Sequence, residues 1–166
     1  LFYCMGWRGL CVDANKEATP YWQATRPEDI FVNAAVGEHP GETFFFRHKT
    51  NMGMHTIRDT ATAPGADFAQ TPEVVPLRRL DHLFAQHLAG RTIQLMSMDI
   101  EGAELGALRS NDWSRWRPEV IIMECIDFTF DAPAAPPTVA YLLSQGYRLD
   151  SKIGENVILT DSRVPT

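Results

Sequence analysis

Apolar residues along this chain fall into short, nearly unbroken runs, and several of the runs end in a carboxylate. Arg8 to Val12 leads to Asp13, Thr92 to Met98 leads to Asp99, and Val120-Ile121-Ile122-Met123 leads to Glu124. A further run, Ile30-Phe31-Val32-Asn33-Ala34-Ala35-Val36, closes at Gly37. Unbroken rather than alternating runs mark strands covered on both faces, the setting of parallel sheets. Between them the spacing turns helical. Thr19-Pro20 starts a helix, with Thr as cap and Pro in the first turn, that ends near Arg26-Pro27. Leu80, Leu83, Phe84 and Leu88 form an apolar stripe closed by Gly90, and Leu105 and Leu108 begin another. Pro136-Pro137 opens a last helix carrying Val139, Leu142 and Leu143 and stopping before Gly146.

The remaining segments complete the plan. Phe2, Tyr3 and Met5 read as the tail of a helix closed by Gly6. Thr43-Phe44-Phe45-Phe46 is expected to return against Ile30–Val36 as an antiparallel hairpin, and Val74-Val75-Pro76-Leu77 is a short extended piece. Tyr147-Arg148-Leu149 and Asn156-Val157-Ile158-Leu159, separated by a turn at Gly154, predict a terminal antiparallel pair. Strands alternating with helices give the α/β class: a mostly parallel sheet covered on both faces and closed by an antiparallel hairpin. At 166 residues the chain is one domain, large enough to bury a core. His48 to Thr71 has little periodicity, and an irregular loop of that length is often a lid or a substrate loop.

Charge narrows the functional classes. A formal net charge of −6 argues against a nucleic-acid partner, because such binding rests on phosphate neutralisation by Lys and Arg. Cys4, Cys11 and Cys125 lack CxxC spacing and read as free thiols of a reducing compartment. The histidines show no zinc-ligand clustering. No secretory leader and no bilayer-length apolar run is visible, so the expected location is the cytoplasm, away from membranes.

The chemistry-bearing residues stand at strand ends. Asp13 is placed to accept hydrogen bonds from both hydroxyls of a ribose, or else is a solvated strand end or helix cap. Asn33, Ala34 and Ala35 end the next strand, where small side chains would let a flat base approach the backbone. Asp99-Ile100-Glu101-Gly102-Ala103-Glu104 is the densest acidic stretch. Asp99 and Glu101 are candidates to orient or deprotonate a hydroxyl, while Glu104 reads as an anion favoured at a helix N-terminus. Gly102 fits a tight turn. Glu124 borders the same crevice, and His55 is either a base or a solvated loop residue. Trp113 and Trp116 are expected to cover the sheet. Three acids without other clustered ligands define no metal site.

Taken together these stretches resemble the FkbM-type methyltransferases. The resemblance rests on Gly6-Trp7-Arg8-Gly9-Leu10-Cys11-Val12-Asp13-Ala14-Asn15, on Val32-Asn33-Ala34-Ala35-Val36-Gly37, and on Ser97-Met98-Asp99-Ile100-Glu101-Gly102-Ala103-Glu104. Arg117-Pro118, the strand to Glu124 and Gly146-Tyr147 continue it in order. It implies a Rossmann-like class I methyltransferase sheet, S-adenosyl-L-methionine as methyl donor, and O-methylation of a sugar, polysaccharide or polyketide-like small molecule. By this similarity Asp13, Asn15, Asn33, Ala34 and Ala35 belong to the donor site and Asp99 with Glu101 to the catalytic motif. The family carries a further strand and a Gly-rich turn ahead of the Gly-Trp pair, holding the methionine part of the donor. Residues 1–166 lack both, which implies a fragment that binds the donor poorly and has sheet edges exposed on both sides of the absent strand. The alternatives are a non-catalytic interaction domain that kept the fold, and a nicotinamide-dependent oxidoreductase on a related sheet.

Overall fold

The computed structural model describes residues 1–63, 65–69, 71–131 and 134–165. Strand β1 (Leu10–Asp13) lies parallel and in register with β2 (Ile30–Asn33), so that Asp13 stands beside Asn33. Helix α1 (Ala18–Thr25) makes the crossover between them. It begins one residue before Thr19, which is therefore not its cap: the Asn15 side chain accepts from the Glu17 N–H and shapes the entry instead. Pro20 does fall in the first turn, where a missing N–H costs nothing. Before β1, a single 3-10 turn (Tyr3–Met5) ends at Gly6 in the left-handed region, as the helix-tail reading requires.

The run from Ile30 to Val36 is not one strand. It breaks at Ala34, whose N–H donates to the Asp13 carbonyl, and resumes as the short β3 (Ala35–Val36). β3 pairs in parallel with β5 (Glu73–Arg78), and β5 pairs antiparallel with β4 (Gly41–Phe45). The expected hairpin between Ile30–Val36 and Thr43–Phe46 is thus wrong, because β5 occupies the position between them. Pro76 is tolerated in β5 because β3 pairs only with the two residues beyond it, Leu77 and Arg78.

The second half of the chain forms a four-stranded sheet in the order β6 (Leu95–Met98), β7 (Val120–Glu124), β9 (Asn156–Asp161), β8 (Tyr147–Ile153). β6 and β7 are parallel, and β8 and β9 are the expected terminal antiparallel pair, longer than their apolar cores. Pairs running parallel and pairs running antiparallel are equally numerous among the described strands, so the sheets are more mixed than the sequence pattern implies. Helix α2 (Leu80–His87) buries Leu80, Leu83 and Phe84 as its stripe predicts. Helices α3 (Glu104–Arg109) and α4 (Pro137–Ser144) supply Leu108, Val139 and Leu142, all fully buried against Ile121, Met123 and Leu159. Trp113 and Trp116 join this core, and the Trp113 indole N–H donates to the Leu108 carbonyl.

One charged pair closes the far side of that sheet. Arg117 meets Asp161 through two bonds of 2.7 Å, donates to the Gln145 carbonyl, and stacks over Tyr147. The Tyr147 hydroxyl donates to the Pro118 carbonyl, and burial pushes its acidity well below that of a free phenol. The Arg-Pro and Gly-Tyr pairs singled out in the sequence are therefore parts of one clamp.

β1 and β6 each have a strand neighbour on one side only among the described residues. A groove of about 540 Å³ runs between them, walled by Leu10, Leu95, Met96 and Ser97, with Phe84 and Leu88 of α2 and the Trp7 ring also lining it. Among the described residues no helix is long and apolar enough to cross a membrane.

Candidate functional site

The acidic stretch after β6 is a turn held from three directions. Glu101 has φ +53° and Gly102 φ +89°, and Glu101 is the only non-glycine among the described residues in the left-handed region. That conformation costs an ordinary side chain about 1–2 kcal/mol, so its surroundings must impose it. Thr56 Oγ1 donates to the Glu101 carbonyl at 3.1 Å. Glu104 Oε1 accepts from the N–H groups of Ile100 and Gly102 at 3.2 and 3.1 Å. The Arg58 side chain lies over Gly102, where an added Cβ would sit 2.8 Å from Arg58 Cδ. Glu104 is buried and does more than favour a helix start: it fastens the turn that carries Asp99 and Glu101.

Register then assembles the acids. Met98 stands beside Met123, so the residues that follow, Asp99 and Glu124, emerge side by side from adjacent parallel strands. The ligand atoms of Asp99, Glu101 and Glu124 lie within 4.8 Å of one another, a spacing at which three carboxylates can share a proton or coordinate a divalent cation. Burial, reinforced by the charges of Glu104 and Glu155, raises all three above the usual carboxylate range, and Asp99 adds its own repulsion at Glu101 and Glu124. Lys152 Nζ donates to the carbonyls of Cys125, Ile126 and Phe128 and fixes the chain that leaves Glu124.

Asp99 and Glu101 form one wall of a cavity of about 290 Å³. Asp13, Asn15, Ala34 and Ala35 form another wall, and Phe45, His55, Thr56 and Ile57 also line it. The strand-end residues of β1 and β6 therefore face a common space. The Asn15 N–H donates to Asp13 Oδ1 at 2.7 Å and orients that carboxylate. Ala34 and Ala35 are nearly fully buried and leave room at the backbone. Asn33 is not brought to the cavity: its amide donates to the carbonyls of Asp13 and Ala14 and holds the chain at the end of β1.

The irregular loop supplies what periodicity could not show. Its backbone pairs Phe46 with Thr56 and His48 with Phe68, and short 3-10 turns occupy Met52–Met54 and Asp59–Thr62. Pro64, one of its turn signals, lies outside the described residues. His55 Nδ1 accepts from the His48 N–H at 3.0 Å, and the ring packs edge-on against Phe45. Burial and the Arg47 guanidinium push its pKa below the ordinary value, so the imidazole is neutral at pH 7. Thr56, Ile57 and Phe45 carried no sequence signal for the site. A hydroxyl or apolar residue in an aperiodic segment looks like any other, and Phe45 reads only as part of a strand.

None of the curated proteins and none of the solved structures matches this chain. The family model for the methyltransferase FkbM domain matches residues 1–149 of the 166. That match takes in β1 through α4 and every acid of the cavity, and the chain belongs to the FkbM methyltransferase family.

Proposed function

We propose that this protein is an S-adenosylmethionine-dependent O-methyltransferase acting on a hydroxyl of a sugar, polysaccharide or polyketide-like small molecule. The observation that carries this reading is the shared cavity: Asp13 at the end of β1 and Asp99 with Glu101 at the end of β6 line the same space. Ligands of open α/β sheets bind outside the carboxyl ends of the strands, and the donor and acceptor halves of the reaction need adjacent sites there. Asp13, turned by the Asn15 N–H, accepts from the ribose hydroxyls, while Ala34 and Ala35 leave space for the base. Bound donor would supply an electrophilic methyl carbon whose bond to sulfur breaks as the acceptor oxygen bonds to it. Asp99 or Glu101 holds the acceptor hydroxyl in line and takes its proton, a task favoured by the raised affinity of both carboxylates for protons.

Small-molecule sites usually span about 300–1,000 Å³, so this cavity suits the nucleoside half of the donor better than donor and acceptor together. A strand paired with both β1 and β6 along the apolar groove between them would bring its following turn to the methionine half of the donor. With that strand the pairing order becomes that of a Rossmann-like methyltransferase sheet. The open groove also gives the second reading its support, since an unpaired sheet edge can recruit a strand from another protein. No feature of the site favours nicotinamide chemistry over methyl transfer.

Transfer of labelled methyl from S-adenosylmethionine to a panel of glycans and hydroxylated small molecules, catalysed by the complete protein, tests the leading reading. Transfer that disappears in both Asp99→Asn and Glu101→Gln supports it. Turnover untouched in both variants removes these acids from the mechanism.

A further inference from the structure

Resting on the donor-site reading above, we propose that His55 reads the ribose: its Nε2–H donates to a ribose hydroxyl oxygen whose own proton is given to Asp13. A hydroxyl has one proton to donate and lone pairs left to accept with, whereas an ionised carboxylate only accepts. A site built from Asp13 alone would leave the hydroxyl oxygen without a donor in a partly desolvated cavity, which costs affinity.

His55 has the chemistry to complete the pair. Its Nδ1 accepts from the His48 N–H, so the proton of the neutral ring sits on Nε2. That nitrogen can give a hydrogen bond but has no lone pair with which to receive a proton. His55 is therefore a donor towards a ligand and not the general base that a loop histidine invites one to imagine. Thr56, which lines the cavity beside it, already gives its hydroxyl proton to the Glu101 carbonyl.

The ring is also placed firmly enough to discriminate. Phe46 and Thr56 exchange backbone bonds of 2.8 and 3.1 Å immediately beside it, and Phe45 supports the ring edge-on. Asp13 and His55 line one cavity, and Asp13 is near enough to favour the charged imidazole against the opposing effects of burial and Arg47. Arg47 itself is held by Glu73 at 2.5 Å and Glu17 at 3.2 Å. Arg47, Asp13, His48 and Glu17 are the charged and titratable groups that bear on His55, and the Nε2–H is present in both protonation states of the ring.

Adenosine, 2′-deoxyadenosine and 3′-deoxyadenosine, titrated into the complete protein by ligand-observed NMR, provide the test. His55→Asn retains an acceptor for the His48 N–H and removes the distal donor, whereas His55→Gln retains a distal N–H. The wild type should prefer adenosine over one of the deoxynucleosides. His55→Asn should lose roughly five- to tenfold in adenosine affinity and the preference with it, and His55→Gln should recover part of both. In the unmodified protein the His55 Nε2 proton resonance should shift with adenosine and not with the discriminated deoxynucleoside. Equal losses for all three nucleosides in His55→Asn, or none, would overturn the assignment. Absence of adenosine binding by the wild type is a different outcome and overturns the donor site as well.

Discussion

A carboxylate becomes useful as a base when its surroundings make a proton worth holding. Asp99, Glu101 and Glu124 reach that state through burial and the charge of neighbouring carboxylates, Glu104 and Glu155 among them, and the cost falls on stability. Their folded-state values lie above the unfolded ones, so the folded chain binds more protons across the window between them. Stability therefore falls as pH rises from ordinary carboxylate values through the raised ones, and the full penalty remains at neutral pH. Asp99→Asn should melt at a higher temperature than the wild type near about pH 7.5, with the difference closing towards about pH 3. The same variant, and Glu101→Gln, should lose on the order of 10²–10⁴ in methyl-transfer rate, the usual contribution of a positioned base. A thermal-melt difference that does not vary with pH would show that the acids are not strained together. At this scale an apolar run meeting an acid was enough to place Asp13 and Asp99 at strand ends, and both line the cavity. At Asn33 the amide bonds the Asp13 carbonyl, and a strand-end amide that does so has the same sequence signature as one that faces a ligand.

Among the elements, the turn from Asp99 to Gly102 and the loop above it behave as one assembly. Gly102→Ala should cost about 1–2 kcal/mol for its left-handed backbone alone, with displacement of Arg58 added, as read from the denaturant midpoint. Thr56→Val removes the only side-chain bond from the loop to the Glu101 carbonyl among the described residues. It should speed limited proteolysis within residues 47–71 while leaving cleavage elsewhere unchanged. The helices were legible because their apolar spacing holds over about two turns, and the terminal strands because a glycine turn separates two apolar runs; β7 was read to the residue. The β4 hairpin was not, since β4 pairs with a segment some thirty residues later whose Pro76 makes it look unlike a central strand. Adjacency in sequence was a poor substitute for a partner not yet translated into pattern.

At the scale of the molecule, the buried Arg117–Asp161 pair joins the segment before β7 to the end of β9. Arg117→Met leaves Asp161 without its bidentate partner, though Arg163 remains near it, and should cost roughly 3–5 kcal/mol in chemical denaturation. Strand edges should be visible in hydrogen exchange: β6 amides should exchange faster than those of β7, which is paired on both sides. Uniform protection of both strands would mean that something covers the groove. Periodicity revealed which segments are strands. It carried no information on which sheet edges stay open, because that depends on pairings between distant segments.

The distribution of the core along the chain has a consequence for biosynthesis. The buried side chains of the main core come from Leu80 to Leu159, and β7 acquires its second neighbour only when β9 arrives. A ribosome thus releases β1 through β5 before most of the surface they adjoin has been made. Leu10 of β1 and Val36 of β3, which pack against that core, gain those contacts only once its later segments have been made, and partly folded states of this kind expose apolar surface and unpaired strand edges.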